Sequence, residues 1–296
     1  MAMSEALREL QLCELDILKA IKRVCVKHKI RFVLASGTLL GAVRHQGFIP
    51  WDDDIDIEMP YQDYLRFQEI AQDELGDAYF LQSSETDPDY CFPYLRIQKK
   101  NTTLLREWDA QVPEYHRVWI DVFPLADLGG AFDFRAKRLI LRTCAFLRMP
   151  QTRFDLNKDW LTQQKGKALY TLAATVRKLP EKFRWNLRKR LLHTVFRSRN
   201  TPDMTFVWTT VTRRIPREVY AEPDQQLWFE DDYYPVPQGY DTYLKILYKD
   251  YMQFPPPEKR KPPFTLRINL EHDWDPSAVG PDGNPLFELK TIEGQH

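Results

Sequence analysis

A chain of 296 residues, 43% hydrophobic and 28% charged, is long enough to bury a sizeable core as one large domain or two smaller ones. Lys plus Arg and Asp plus Glu both number 42, so overall charge makes no case for nucleic acid. Four scattered cysteines (Cys13, Cys25, Cys91, Cys144) without a C-x-x-C pair exclude a disulfide scaffold and a cysteine-based zinc site, and no run of about 18 apolar residues reads as a membrane span. The opening MAMSEALREL is charged and lacks an apolar core, so no signal peptide is expected.

In chain order, Leu7, Leu10, Ile17, Leu18, Ile21, Val24 and Cys25 recur at helical spacing, which predicts a helix over Ser4–Lys29 with Ser4 as its N-cap. A short strand follows at Phe32–Ala35, broken by Ser36 and Gly37, and Thr38–Arg44 has room for one or two helical turns. Gly37 permits close backbone approach to a ligand, and the N–H groups opening a helix favour phosphate. Beyond Pro50, Trp51–Glu58 reads as an acidic strand. Alternation then puts Asp52, Asp54 and Asp56 on one face, spaced by about 6.6 Å, with Ile55 and Ile57 on the other. Carboxylates crowded on one face repel, and hard oxygen donors suit Mg²⁺ or Mn²⁺; the alternative is a solvated acidic loop.

A second helix is expected at Tyr61–Leu75, ended by Gly76, then strands at Ala78–Gln82, Tyr94–Gln98, Thr102–Leu105 and Val118–Phe123. Asp121 lies alone in the last, apolar strand and needs a partner: either a metal, as a third ligand, or backbone donors at a strand end. Arg96, Lys99 and Lys100 meet phosphates if their strand flanks the acids, and otherwise form a solvated face. Helices are expected over Phe132–Leu147, Leu161–Arg177 and Pro180–Phe196, with 151–160 as a connection. In residues 177–199 one glutamate faces nine Lys or Arg residues. Phe183, Leu187, Leu191, Leu192, Val195 and Phe196 give the last helix an apolar face beside Trp185. It either lies on an anionic membrane surface or packs on the core with its basic face outward. Short strands at Thr205–Val211 and Gln226–Phe229, a helix at Asp241–Tyr251 and an irregular last thirty residues complete the chain.

The stretch ASGTLLGAVRHQGFIPWDDDIDI (residues 35–57) resembles the signature of the LicD family, which includes bacterial phosphocholine transferases and fukutin-type proteins. MPYQDYLRFQEIA, WIDVFPL and PVPQGYDTYLKILYKDYMQFPP are similar to the family's helix after the acids, its third-acid strand and its Tyr-rich C-terminal segment. In the last of these, Lys249 stands where many members carry glycine. The resemblance covers about residues 5–125 and 226–258. It implies an α+β, nucleotidyltransferase-like (polymerase β-type) fold: a mixed sheet flanked by helices, with an additional helical region. The expected organisation is a catalytic core at 1–130, a basic helical insertion at 131–200, the C-terminal part of the domain at 201–260 and an irregular tail at 261–296.

By the same resemblance, Asp54, Asp56 and Asp121 match the metal-binding catalytic acids, with Asp121 also able to accept a hydroxyl proton. Ser36 and Gly37 match the phosphate-holding turn. Asp52 ranks next as an outer ligand. Thr38, Arg44 and His45 belong to the motif; Arg44 suits a phosphate, and His45 is either a general base or a structural hydrogen-bonding residue. The implied activity is Mg²⁺- or Mn²⁺-dependent transfer of phosphocholine, or a related alcohol phosphate, from CDP-choline or another CDP-alcohol to a hydroxyl of a cell-surface glycan precursor, lipid-linked in one version. No nucleic-acid partner is implied. The expected location is cytoplasmic, with the basic helix as a point of peripheral contact with the inner membrane surface. Choline requires aromatic faces, for which Trp51, Trp108, Trp119 and Tyr94 are the nominees, and glycerol or ribitol phosphate is the alternative where no cage exists. Nucleotidyl transfer from an NTP and a non-catalytic glycan-binding or scaffold role are the competing readings.

Overall fold

The computed structural model describes residues 4–87, 90–106, 116–148, 175–176, 178–208, 213–274 and 287–294. The chain opens with helix α1, Glu5–His28, whose N-terminus is capped by Ser4 Oγ accepting from the Leu7 N–H at 3.2 Å. Its apolar stripe (Leu10, Ile17, Leu18, Ile21) is fully buried. Strand β1 (Val33–Leu34), helix α2 (Ser36–His45), strand β2 (Asp56–Pro60) and helix α3 (Tyr61–Leu75) follow in order. Then come β3 (Tyr79–Gln82), β4 (Leu95–Lys99), β5 (Thr103–Arg106) and the long β6 (Trp119–Leu128).

These strands make one curled mixed sheet in the order β1-β2-β6-β4-β3, in which only β2 and β6 run parallel to one another. Strand β6 is ten residues long and serves three partners. Its first half pairs with β2 and β4, and its end pairs with β7 (Asp203–Phe206), which in turn pairs with β8 (Ile215–Pro216). Alternation along β2 and β6 sends Ile57, Met59, Ile120 and Val122 into a core where none is exposed, and Asp56 and Asp121 to the opposite face. This is the α+β arrangement that the resemblance implies.

Helix α4 (Ala131–Arg148) and the basic helix α5 (Glu181–Phe196) pack together over a small second core of Ala126, Leu141, Val195, Phe196 and Val207. Phe183, expected on the apolar face of α5, is instead 53% exposed, while Arg188 is buried. The helix expected over Leu161–Arg177 and the connection at 151–160 lie outside the described residues, apart from two helical residues at 175–176. A hairpin, β9 (Gln225–Phe229) and β10 (Asp232–Val236), leads to helix α6, Tyr240–Tyr248. That helix stops short of the expected Tyr251 because Lys249 takes φ 60°, ψ −112°, a conformation that favours glycine. The tail is not wholly irregular. Strand β11 (Leu266–Asn269) pairs with the edge of β5 and with β12 (Lys290–Ile292), tying residues 290–292 to the first half of the chain. No helix among the described residues is long and apolar enough to cross a membrane.

Asp127, at the end of β6, holds the segment after α5 in place. Its carboxylate accepts from the backbone N–H groups of Arg199 (2.6 Å) and Asn200 (2.8 Å) and pairs with Arg217. Burial alone would raise its pKa; these donors outweigh burial and hold the pKa below the usual carboxylate range. A depressed folded-state pKa contributes stability at neutral pH that is lost as pH falls through it. Asp127→Asn is therefore expected to cost about 1–3 kcal/mol near pH 7. In urea melts taken as a pH series, its deficit against the parent should shrink below about pH 4. A deficit that stays constant down the acid limb would exclude the carboxylate as its source.

Candidate active site

The turn from β1 into α2 is clamped to the start of β2. The Ala35 N–H donates to Asp56 O at 3.0 Å, and the Asp56 N–H donates to Thr38 Oγ1 at 2.8 Å. Thr38, whose role the sequence leaves open, thus fixes the backbone of an acid. Ser36 sits at φ 45°, in the left-handed region, and its N–H donates to the Tyr243 hydroxyl at 3.2 Å. That hydroxyl donates to Glu58 at 2.6 Å, and Tyr220 donates to the same carboxylate at 2.7 Å. Glu58, on the Asp56 side of β2, is fully buried; burial first, opposed by the two tyrosines, pushes its pKa up to about 7. One carboxylate therefore ties α6 and the Tyr220 segment to the acid-bearing strand.

The acidic stretch is not a strand from Trp51. The strand begins at Asp56, and Asp52–Asp54 form a loop. Three consecutive aspartates disfavour a strand, and in a loop the alternation rule fails. Oxygens of Asp52, Asp53 and Asp54 lie within 4.8 Å of one another. Asp52 turns its carboxylate onto Gly37, where a Cβ would stand 2.6 Å from Oδ2. The close approach that glycine permits is thus used by a side chain of this protein. Asp53, passed over by strict alternation, is buried and joins Asp54 in the cavity wall. Asp56 and Asp121 are register partners across the parallel β2–β6 pair, and Arg96 faces Asp121 from β4. The three side chains stand abreast on one face, and Arg96 Nε donates to Asp121 Oδ1 at 2.9 Å. Asp53, Asp54, Asp56 and Asp121 line one cavity of about 510 Å³.

Burial and mutual repulsion govern this group. Burial first and Asp121 second push Asp54 to about 6, against the pull of Arg106. Burial and Asp54 push Asp53 to about 7, and Asp56 rises well above the usual range for the same reasons. From α1, Glu14 turns a buried carboxylate toward the group. Its Oε2 has no hydrogen-bond partner among the described residues, and its pKa is raised by burial and then by Asp54 and Asp53. Among the described residues the acids of this group outnumber the arginines beside them, Arg96, Arg106 and Arg213, and their hard oxygen donors fit a divalent cation such as Mg²⁺ or Mn²⁺.

Several nominated residues stand elsewhere. Lys99 pairs with Asp16 at 2.7 Å and does not line the cavity. Arg44 donates to Tyr251 O at 2.9 Å and to His45 at 3.0 Å and lies over Phe254. His45 packs edge-on against Trp51 and Phe254, so this group forms a cluster outside the cavity wall. Arg96 does line the cavity, but its guanidinium is held by Asp121 and lies 4.4 Å over Trp119 and 5.2 Å over Phe92. Trp119 thus serves an internal arginine, Trp51 does not line the cavity, and Trp108 lies outside the described residues. Of the nominees for aromatic contact, Tyr94 lines the cavity.

Most of the aromatic wall comes from outside the motif that carries the first acids. Phe92, Phe123, Phe206, Trp208, Tyr248 and Phe264 line the same cavity as the acids, with Arg106 and Arg213. Trp208 keeps 46% of its surface exposed. In sequence these are ordinary core aromatics; Phe123, two residues after Asp121 and so on the same strand face, is the one that alternation points to.

Residues 29–162 match the LicD/FKTN/FKRP nucleotidyltransferase domain. The lipopolysaccharide cholinephosphotransferase LicD of Haemophilus influenzae is 28% identical over 270 residues, covering 86% of this chain and 95% of that protein. An uncharacterized protein of Rickettsia typhi is 48% identical over 55 residues, 19% of this chain and 18% of its own. The domain match, the alignment over most of both chains and an acid pair abreast on β2 and β6 agree: residues 29–162 form a LicD-type nucleotidyltransferase domain.

Proposed function

We propose that the protein transfers phosphocholine from CDP-choline to a hydroxyl of a cell-surface glycan, releasing CMP. The observation that carries this reading is the juxtaposition of Asp54, Asp56 and Asp121 with an aromatic wall in one cavity. A quaternary ammonium offers no hydrogen-bond donor and is held by π faces, which Trp208, Phe206 and Tyr94 supply beside the acids. Asp54, Asp56 and Asp121 would hold Mg²⁺ or Mn²⁺, and a bound divalent ion supplies neutralisation of the charge on the transferring phosphoryl and the departing CMP. The acceptor oxygen bonds to the phosphorus bearing choline as the bond from that phosphorus to the CMP oxygen breaks. The hydroxyl proton passes to Asp121, whose carboxylate Arg96 holds in orientation.

Trp208→Ala tests the donor. By calorimetry with Mg²⁺ present, the variant should bind CDP-choline roughly tenfold more weakly and bind CMP as the parent does. Equal weakening of CMP, or parent binding of CDP-glycerol as tight as CDP-choline, would remove choline from the reading. Binding of ATP in place of any CDP-alcohol would favour nucleotidyl transfer.

A further inference from the structure

A second cavity, of about 680 Å³, opens between α3, α5 and the Ser83–Glu85 turn. It is larger than the acid cavity and of ordinary small-molecule size. Phe92 and Tyr94 line both, so the two cavities adjoin across these rings. We propose that this second cavity is the acceptor subsite and takes neutral sugar rings of the glycan, presenting a hydroxyl past Phe92 and Tyr94 to the acids; this rests on the transfer reading above.

The lining chemistry selects the class of ligand. Tyr61 and Phe196 stack at 4.3 Å and 7° to form one wall, and Trp185 stands on α5 beside them. Such rings meet the C–H faces of a pyranose. Glu69 adds a carboxylate for sugar hydroxyls, while the Gln68 amide donates to Glu85 at 3.2 Å and the Ser83 hydroxyl accepts from the Glu85 N–H at 3.0 Å, fixing the turn that edges the cavity. The cations of this cavity are engaged by the protein. Arg188 is 2% exposed and donates to Ser84 Oγ at 2.6 Å and to the carbonyls of Phe92 (2.8 Å) and Cys91 (3.3 Å). Lys189 pairs with Glu85 at 3.2 Å and sits 5.7 Å over Trp185. A diphosphate placed here would face Glu69 and Glu85 with its cations already committed, whereas an uncharged polyol meets no such repulsion. The same contacts give α5 a role: through Arg188 it fixes the Cys91–Phe92 segment that borders both cavities.

The experiment is a crossed pair of variants in the full chain. Saturation-transfer NMR is run with the methyl glycosides of glucose, galactose and N-acetylgalactosamine, and CDP-choline binding is measured by calorimetry. We expect at least one glycoside to bind the parent, with signal lost in Trp185→Ala and kept in Trp208→Ala. CDP-choline should bind Trp185→Ala within about twofold of the parent while weakening roughly tenfold in Trp208→Ala. Glu69→Gln, at an exposed position, replaces Trp185→Ala if that variant does not fold, and should weaken the glycoside signal alone. No glycoside signal with the parent, or equal signals from parent, Trp185→Ala and Glu69→Gln, overturns the subsite. A parent that binds glycoside at this cavity but no CDP-choline keeps the sugar site and overturns the transfer reading instead.

Discussion

Asp54→Asn and Asp56→Asn should each melt at a higher temperature than the parent in metal-free buffer, and each should lose transfer by on the order of 10³-fold or more. The two effects have one cause. Asp53, Asp54, Asp56 and Asp121 share a cavity, with Glu14 buried behind it. Arg96 answers Asp121, and Arg106 draws Asp53 and Asp54 only part of the way back. Each charge removed relieves repulsion that the fold otherwise carries, typically several kcal/mol for a desolvated ion. The same removal deletes a hard oxygen donor. Mg²⁺ should therefore raise the parent's melting temperature by mass action and leave either variant nearly unmoved. Melts in EDTA and in Mg²⁺, read beside CMP release, check both halves. A variant that responds to Mg²⁺ as the parent does, or that keeps its turnover, would end the assignment of these acids to the cation.

Glu58→Ala should be the most destabilising single change near the site, by about 3–5 kcal/mol in urea unfolding. Alanine leaves the Tyr220 and Tyr243 hydroxyls buried without an acceptor, and Tyr243 is also the acceptor for the Ser36 N–H. Turnover should fall as well, because Tyr248 on the same helix as Tyr243 lines the acid cavity. The control is Glu58→Ala placed on a Tyr220→Phe/Tyr243→Phe background, where the hydroxyls are gone and the loss should be markedly smaller. Equal losses on both backgrounds would mean that the carboxylate is not what anchors α6.

Much of this is legible in one sequence, and the exceptions share a physical reason. Helices α1 and α3 announce themselves by local periodicity, and WIDVFPL is a strand in any context. The pairing of Asp56 with Asp121 is a long-range register that no spacing rule reports; the family resemblance implied a shared role for the two acids but not the register. Asp53 escaped because alternation was carried upstream into a loop. Glu58 escaped because a carboxylate between Ile57 and Met59 looks like one more acid until Tyr220 and Tyr243 arrive from the far end of the chain. Strand β11 has little pattern of its own and depends on the open edge of β5.

The aromatic wall has a consequence for how such a protein diversifies. The acids and their clamp are written in one stretch before residue 125, inside the matched domain, whereas Phe206, Trp208, Tyr248 and Phe264 are contributed by later segments. On the proposed reading, part of the surface that meets the cargo is thus encoded apart from the acids. On that reading, changes at Phe206, Trp208 and Phe264 retune which alcohol is carried, whereas Tyr220 and Tyr243 of the same later segments must be kept, because they hold Glu58 on the acid-bearing strand.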